Sequence, residues 1–261
     1  MTFTVLIPAR YASSRLPGKP LRELAGKPMI QWVVEAAQKS KASRVVVATD
    51  HDDIARCVNE FGGEAVMTST THVSGTDRLQ EAAQMLGLAE RDCVVNVQGD
   101  EPLVPANVID QVADNLINSS WAEMATLCEK IQSTAEFLNP NAVKVVFDEK
   151  KSALYFSRAP IPVCRDEPLS STDSVLPEQL VAHRHLGIYA YRVGFLNKFV
   201  HWPEHPLEQC EKLEQLRALA HGVTIHVEPS CCTIPAGVDT EEDLNSVDRY
   251  LRSLHDLGSN A

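Results

Sequence analysis

Short apolar runs alternate with amphipathic stretches through the first half of the chain. Thr2–Ile7 (TFTVLI), Arg44–Thr49 (RVVVAT) and Cys93–Val97 (CVVNV) are brief and rich in β-branched residues, the pattern of strands buried on both faces. Pro8 is expected to stop the first. Between them, residues 28–40, 52–61, 75–86 and 105–118 carry helical spacing with acceptable caps. Strand and helix in alternation predict an α/β fold built on a doubly wound, mostly parallel sheet. The second half is more mixed. Val143–Phe147, Ala153–Phe156 and Leu186–Tyr191 read as strands, and Pro160–Pro177 as a long Pro/Ser/Asp loop. LEQCEKLEQLR reads as one helix whose leucines mark its buried side, and residues 240–252 as another.

Composition narrows the classes. The 261 residues, 44% hydrophobic, suffice for one large core with a small appended lobe. A net charge of −11 argues against a general nucleic-acid partner. No apolar run approaches the ~20 residues of a membrane span, and no signal segment opens the chain. A cytoplasmic protein without a membrane partner is expected. The seven cysteines form an odd set with no C-x-x-C, so reduced thiols are expected, the vicinal Cys231 and Cys232 included.

Against this acidic background, residues 8–20 (PARYASSRLPGKP) place Arg10, Arg15 and Lys19 in a loop directly after the first strand. Pro17, Gly18 and Pro20 are expected to forbid a helix there while permitting close backbone approach to a ligand. In open α/β sheets ligands sit beyond the carboxyl ends of the strands, so the loop reads either as a phosphate site or as a solvated basic turn. Neither G-x-x-x-x-G-K-[ST] nor G-x-G-x-x-G follows the strand, which excludes the common P-loop and dinucleotide motifs.

Other positions carry two readings each. Asp100, after CVVNVQG, should project from a central strand end beside Gln98, where a carboxylate suits the hard cation Mg²⁺. Asp239 is either a second metal ligand or the cap of the last helix, and Ser74 either a ligand contact or a cap. Arg158 suits a carboxylate partner or a surface ion pair. His183 and His185 share a strand face, as a metal pair would. We expect instead a hydrogen-bonding His185 and an exposed His183.

The motifs PARYASSRLPGKPL, ATDHDDIA, SGTDR, NVQGDEPL, NPNAVKVV, YFSRAPIP, RHLGIYAY, PLEQCEKLEQLR and GVDTEEDL, in that order over nearly the whole chain, resemble the 3-deoxy-D-manno-octulosonate (Kdo) cytidylyltransferases. The resemblance implies a nucleotidyltransferase fold like that of the nucleotide-diphospho-sugar transferases. One catalytic unit would span 1–261: residues 1–120 mainly for CTP, 121–235 a smaller mixed α/β lobe for the acceptor sugar and dimerisation, and 236–261 carrying a metal aspartate and the last helix. It implies attack of the octulosonate on the α-phosphorus of CTP, giving CMP-Kdo for lipopolysaccharide and pyrophosphate. Asp100 and Asp239 would hold Mg²⁺, and Lys19 and Arg10 would act with them in catalysis. Ala9, Arg10, Arg15, Lys19, Ser74, Gly75 and Arg78 would contact CTP; Gln98, Arg158, His185, Tyr189, Glu214 and Gln215 would contact the sugar. A homodimer is implied.

Val163 and Cys164 stand where an aromatic-rich stretch is expected, so the nucleotide assignment is firmer than the sugar. The runner-up acceptor is a modified octulosonate such as the 8-amino analogue. A catalytically silent nucleotide-binding regulator is disfavoured by the joint presence of both aspartates and the loop cations.

Overall fold

The computed structural model describes residues 2–12, 16–167, 169 and 175–258. Arg15 lies outside the described residues, as does part of the expected 160–177 loop.

The first half alternates as expected: β1 (Phe3–Ala9), the hairpin β2 (Glu23–Leu24) and β3 (Lys27–Pro28), α1 (Met29–Gln38), β4 (Arg44–Thr49), α2 (Asp52–Glu60), β5 (Glu64–Met67), α3 (Gly75–Met85), β6 (Cys93–Asn96) and α4 (Ala106–Asn118). The second half holds β7 (Met124–Lys130), α5 (Thr134–Leu138), β8 (Lys144–Phe147), β9 (Ala153–Ser157), β10 (His183–Arg192), α6 (Val193–Phe199), α7 (Pro206–Glu211), α8 (Gln215–Ala220), β11 (Ile225–Pro229) and α9 (Glu241–Gly258).

One nine-stranded sheet runs β11-β7-β10-β6-β1-β4-β5, with β8 and β9 branching from β10. Strands β5, β4, β1 and β6 are parallel, and β10 enters antiparallel between β6 and β7. The chain leaves β1 towards β4 on one side and later returns as β6 on the other, so the point where strand order reverses lies between β1 and β6.

Alternation along the strands divides the core. Val5, Ile7, Val47 and Val95 face a layer with Ile30, Val33, Ile54 and Val112 of α1, α2 and α4. Leu6, Val46, Val94 and Tyr191 face Leu79, Phe195 and Leu216 of α3, α6 and α8. Both faces are therefore covered, as parallel strands require. A third cluster joins Leu16, Leu24 and Met29 to Val238, Leu244 and Leu251, so α9 clamps the segment that follows β1.

Several expectations need correction. Pro8 does not stop β1, which continues to Ala9. The Leu6 carbonyl accepts from Val97 N–H at 3.2 Å, so Leu6 and Pro8 both face the β6 side. Pairing with β6 has ended before Pro8, and its missing N–H deprives no partner. The basic loop does contain a turn of 3₁₀-helix at Lys19–Leu21, with Pro20 in its first turn, where no N–H is needed. LEQCEKLEQLR is two helices, because Lys212 adopts a left-handed conformation (φ 54°) between α7 and α8. His183 is half-buried, not exposed, its ring 5.0 Å from that of Phe147.

Candidate active site

Three loops meet beyond the carboxyl ends of β1 and β6, and two glycines permit it. A Cβ on Gly99 would lie 3.1 Å from the Pro8 carbonyl oxygen, and one on Gly237 3.2 Å from that of Asp100. The Val238 N–H donates to the Asp100 carbonyl at 2.8 Å, fixing the 237–239 segment against the loop after β6. The third loop enters through Gly18 at φ 64°, a conformation glycine adopts without strain, and turns Lys19 inward. Leu16 anchors it in the α9 cluster, and Arg22 grips Glu241 through two hydrogen bonds of 2.6 and 2.9 Å.

The result is a charge constellation drawn from positions far apart in sequence. The Lys19 ammonium, 9% exposed as a residue, donates to Asp100 Oδ2 at 2.6 Å and to Asp239 Oδ1 at 3.0 Å. Asp239 is not the cap of α9. The Thr240 hydroxyl accepts from Asp243 N–H at 3.2 Å, and the Asp243 carboxylate accepts from the backbone of Asp239 and Thr240, which leaves the Asp239 side chain to face Lys19. Next to Asp100, burial and the neighbouring charge push the Glu101 carboxyl up to about 7. Two hard carboxylates converging on one cation form a donor set that fits a divalent metal completed by water and phosphate oxygens. No group of three or more His, Cys, Asp or Glu side chains placed to hold a metal occurs among the described residues.

Beside this constellation opens a cleft of about 190 Å³ lined by Arg10, His72, Ser74, Gly75, Arg78 and Gln98. Ala9 is buried beneath it at the end of β1. Ser74 is indeed the cap of α3, in a reciprocal box with Asp77, so its hydroxyl already serves the helix while the first turn faces the cleft. Arg78 is 4% exposed and donates to Asp50 at 2.7 Å and Thr68 at 2.5 Å, a buried ion pair that shapes the cleft wall. Sequence reasoning did not assign Asp50 or His72. The ATDHDDIA motif contained the first, but nothing in its spacing pointed to Arg78. His72 is held by Glu81 at 2.5 Å.

A second cavity of about 70 Å³ is lined by Thr76, Tyr189, Tyr191, Glu214 and Gln215. Thr76, in the first turn of α3, donates to Glu214 at 2.6 Å, so one helix turn connects the two cavities. Burial raises the Glu214 carboxyl, opposed by its bonds to Thr76 and Ser74. The Gln215 side-chain nitrogen is buried with no hydrogen-bond partner among the described residues, a donor awaiting an acceptor.

Arg158 and His185 line neither cavity. Arg158 donates through Nε to the Glu211 carbonyl at 2.6 Å and through Nη1 to that of Pro140 at 3.0 Å, stapling the end of β9 to α7. His185 lies behind Tyr189, ring centroids 5.2 Å apart. The Thr126 hydroxyl donates to a main-chain carbonyl, 2.8 Å away at Ile188, so it accepts from His185 Nε2–H at 3.1 Å and leaves Nδ1 as an acceptor. Burial pushes the His185 imidazole down to about 3, keeping it neutral. The unfolded state then binds the extra proton below about 6.5, so this stabilisation is full above that pH and is lost as pH falls towards 3. His185→Gln should lose about 2–3 kcal/mol less unfolding free energy than the parent between pH 6.5 and 4. Parallel urea titrations check this, and identical pH slopes would refute it.

All seven cysteines are free thiols, and burial pushes Cys93 and Cys128 up to about 12. Cys231 and Cys232 are tied down by polar contacts of the chain, Cys231 N–H to Gln111 and Cys232 Sγ to Asn107.

Comparisons with known proteins identify the family. The cytidylyltransferase family model matches residues 4–225. The 3-deoxy-manno-octulosonate cytidylyltransferase of Saccharophagus degradans is 58% identical, over 97% of this chain and 100% of that protein. That of Pseudomonas fluorescens is also 58% identical, over 96% and 98%. A CMP:2-keto-3-deoxy-manno-octonic acid synthetase solved in complex with CTP superimposes with a TM-score of 0.87 at 40% identity, covering 97% of this chain and 99% of that one. The chain belongs to the 3-deoxy-manno-octulosonate cytidylyltransferase family.

Proposed function

We infer that the protein transfers the cytidylyl group of CTP to 3-deoxy-D-manno-octulosonate, giving CMP-octulosonate and pyrophosphate and so activating a sugar of lipopolysaccharide. The observation that carries this reading is the convergence of Lys19, Asp100 and Asp239 beside the Arg10–Ser74–Arg78 cleft, at the point where strand order reverses. Anionic phosphates entering there meet Arg10 and Lys19, which oppose the charge that grows on departing pyrophosphate. The first turn of α3 supplies backbone N–H groups for cytidine contacts. The donor set suits Mg²⁺, which Asp100 and Asp239 would hold and which, when bound, neutralises phosphate charge and acidifies an attacking hydroxyl.

The small cavity of Tyr189, Glu214 and Gln215 suits one end of the acceptor sugar, with the Gln215 amide donor aimed at a hydroxyl or carboxylate oxygen. Gln98 at the cleft and Thr76 between the cavities keep the two substrates adjacent. Catalysis here rests on positioning and charge, and no histidine base is required. Both His185 and Arg158 act from behind the sugar site, His185 by backing Tyr189 and Arg158 by fixing the β9 end. Arg15 belongs to the same cationic loop. No helix among the described residues is long and apolar enough to cross a membrane. We place the enzyme in the cytoplasm, where CTP is made, as a homodimer through the 121–235 lobe, whose Leu154, Val163 and Val181 are exposed.

Phosphorus NMR of CTP, octulosonate and Mg²⁺ with enzyme should show loss of the triphosphate together with a CMP-sugar phosphodiester and pyrophosphate. CTP binding without consumption would instead identify a nucleotide-binding regulator. Lys19→Ala should raise KM for CTP about 10-fold or more while moving the acceptor KM about twofold or less. Steady-state titration of each substrate decides, and equal effects on both would refute the phosphate role.

A further inference from the structure

Lys19 occupies the position from which a metal would hold the same two carboxylates. Its ammonium is within hydrogen-bond distance of both Asp100 and Asp239, and its side chain is 11% exposed, so it is no loose surface cation. Asp100 and Asp239 come from segments joined by the Val238–Asp100 hydrogen bond and backed by Gly237, so they cannot separate freely when the cation between them is lost. Two carboxylates so held repel one another unless a positive charge sits between them. A divalent cation and an ammonium on the same two oxygens repel one another at short range, so each opposes the binding of the other there.

We propose that Lys19 is an internal counter-ion that holds the two aspartates in place in the nucleotide-free protein and excludes a divalent cation from them until CTP draws the ammonium away. The inference rests on the metal role assigned above to Asp100 and Asp239. CTP supplies the alternative partner: its phosphates take up Lys19, the two carboxylates are released from the ammonium, and metal and nucleotide binding become mutually reinforcing. The same residue thus has two partners in succession, carboxylates before nucleotide binding and phosphate after it. Such coupling is reciprocal, so metal bound at the aspartates also strengthens CTP binding. The arrangement makes ordered assembly a property of one side chain and leaves metal uptake without nucleotide unfavourable.

The test is Mn²⁺ binding to nucleotide-free protein, followed by electron paramagnetic resonance of free Mn²⁺, for the parent, Lys19→Met, Lys19→Gln and Asp100→Asn. Both lysine variants should bind Mn²⁺ about 10-fold more tightly than the parent, and Asp100→Asn should lose the site. Unchanged or weaker binding by both lysine variants, with binding still lost in Asp100→Asn, would overturn the counter-ion role and leave the metal assignment standing. Parent-like binding by Asp100→Asn would instead remove the metal assignment itself. Should the lysine variants fold poorly, NMR of lysine ammonium groups in the parent reads the same displacement. A slowly exchanging Lys19 signal should shift on saturation with CTP and Mg²⁺, and a signal left unchanged would overturn the proposal.

Discussion

Asp100→Asn is expected to lower kcat by about 10³-fold or more while changing unfolding free energy by about 1 kcal/mol or less. The substitution keeps size and one acceptor oxygen but removes a charge from the Lys19 constellation. In the proposed reaction that charge serves twice: it would give the metal site its hard anionic oxygen, and it would set the position of the ammonium that meets phosphate. Stability depends on it weakly, because Lys19 retains Asp239 at 3.0 Å and the pair is partly solvated. Rapid-quench kinetics and urea unfolding on the same preparation separate the two effects. A large stability loss with normal turnover per folded molecule would remove Asp100 from the chemistry and make it a structural ion-pair partner.

Arg78→Met should behave in the opposite proportion, losing about 2–4 kcal/mol of stability together with CTP affinity. Arg78 is almost fully buried, and its two guanidinium contacts tie α3 to Asp50 after β4 and to Thr68 after β5. Methionine fills a similar volume but leaves the Asp50 carboxylate, itself only 18% exposed, without its bonded cation. The cleft wall would then loosen, so the CTP KM should rise as a consequence of the packing loss. Denaturant titration alongside CTP titration checks this. Full stability with a raised KM would make Arg78 a direct ligand contact only.

What is legible in the sequence depends on the range of the interactions involved. Strands such as Arg44–Thr49 and helices such as 52–60 follow from local apolar spacing and caps, and both faces of the first-half sheet are buried, so the pattern was unambiguous. β7 escaped because MATLCEK mixes apolar and charged residues without clean alternation, yet it lies between β10 and β11 in the sheet. The break at Lys212 left no glycine or proline to announce it. The motif resemblance names the candidate site residues, but their mutual geometry is beyond periodicity: Lys19 and Asp239 are 220 positions apart, and packing of α9 on the basic loop brings them together. Asp239 could not be separated from a helix cap until Thr240 was seen to take that role. The partners of Arg158 and His185 are likewise tertiary, one closing β9 onto α7, the other set behind Tyr189.

The most direct measurement is the initial rate of pyrophosphate release with CTP and Mg²⁺, comparing 3-deoxy-D-manno-octulosonate with its 8-amino analogue in parallel. Rapid, acceptor-dependent release with a higher kcat/KM for the unmodified octulosonate is the expected result. Preference for the amino sugar, or no release with either acceptor, would contradict it.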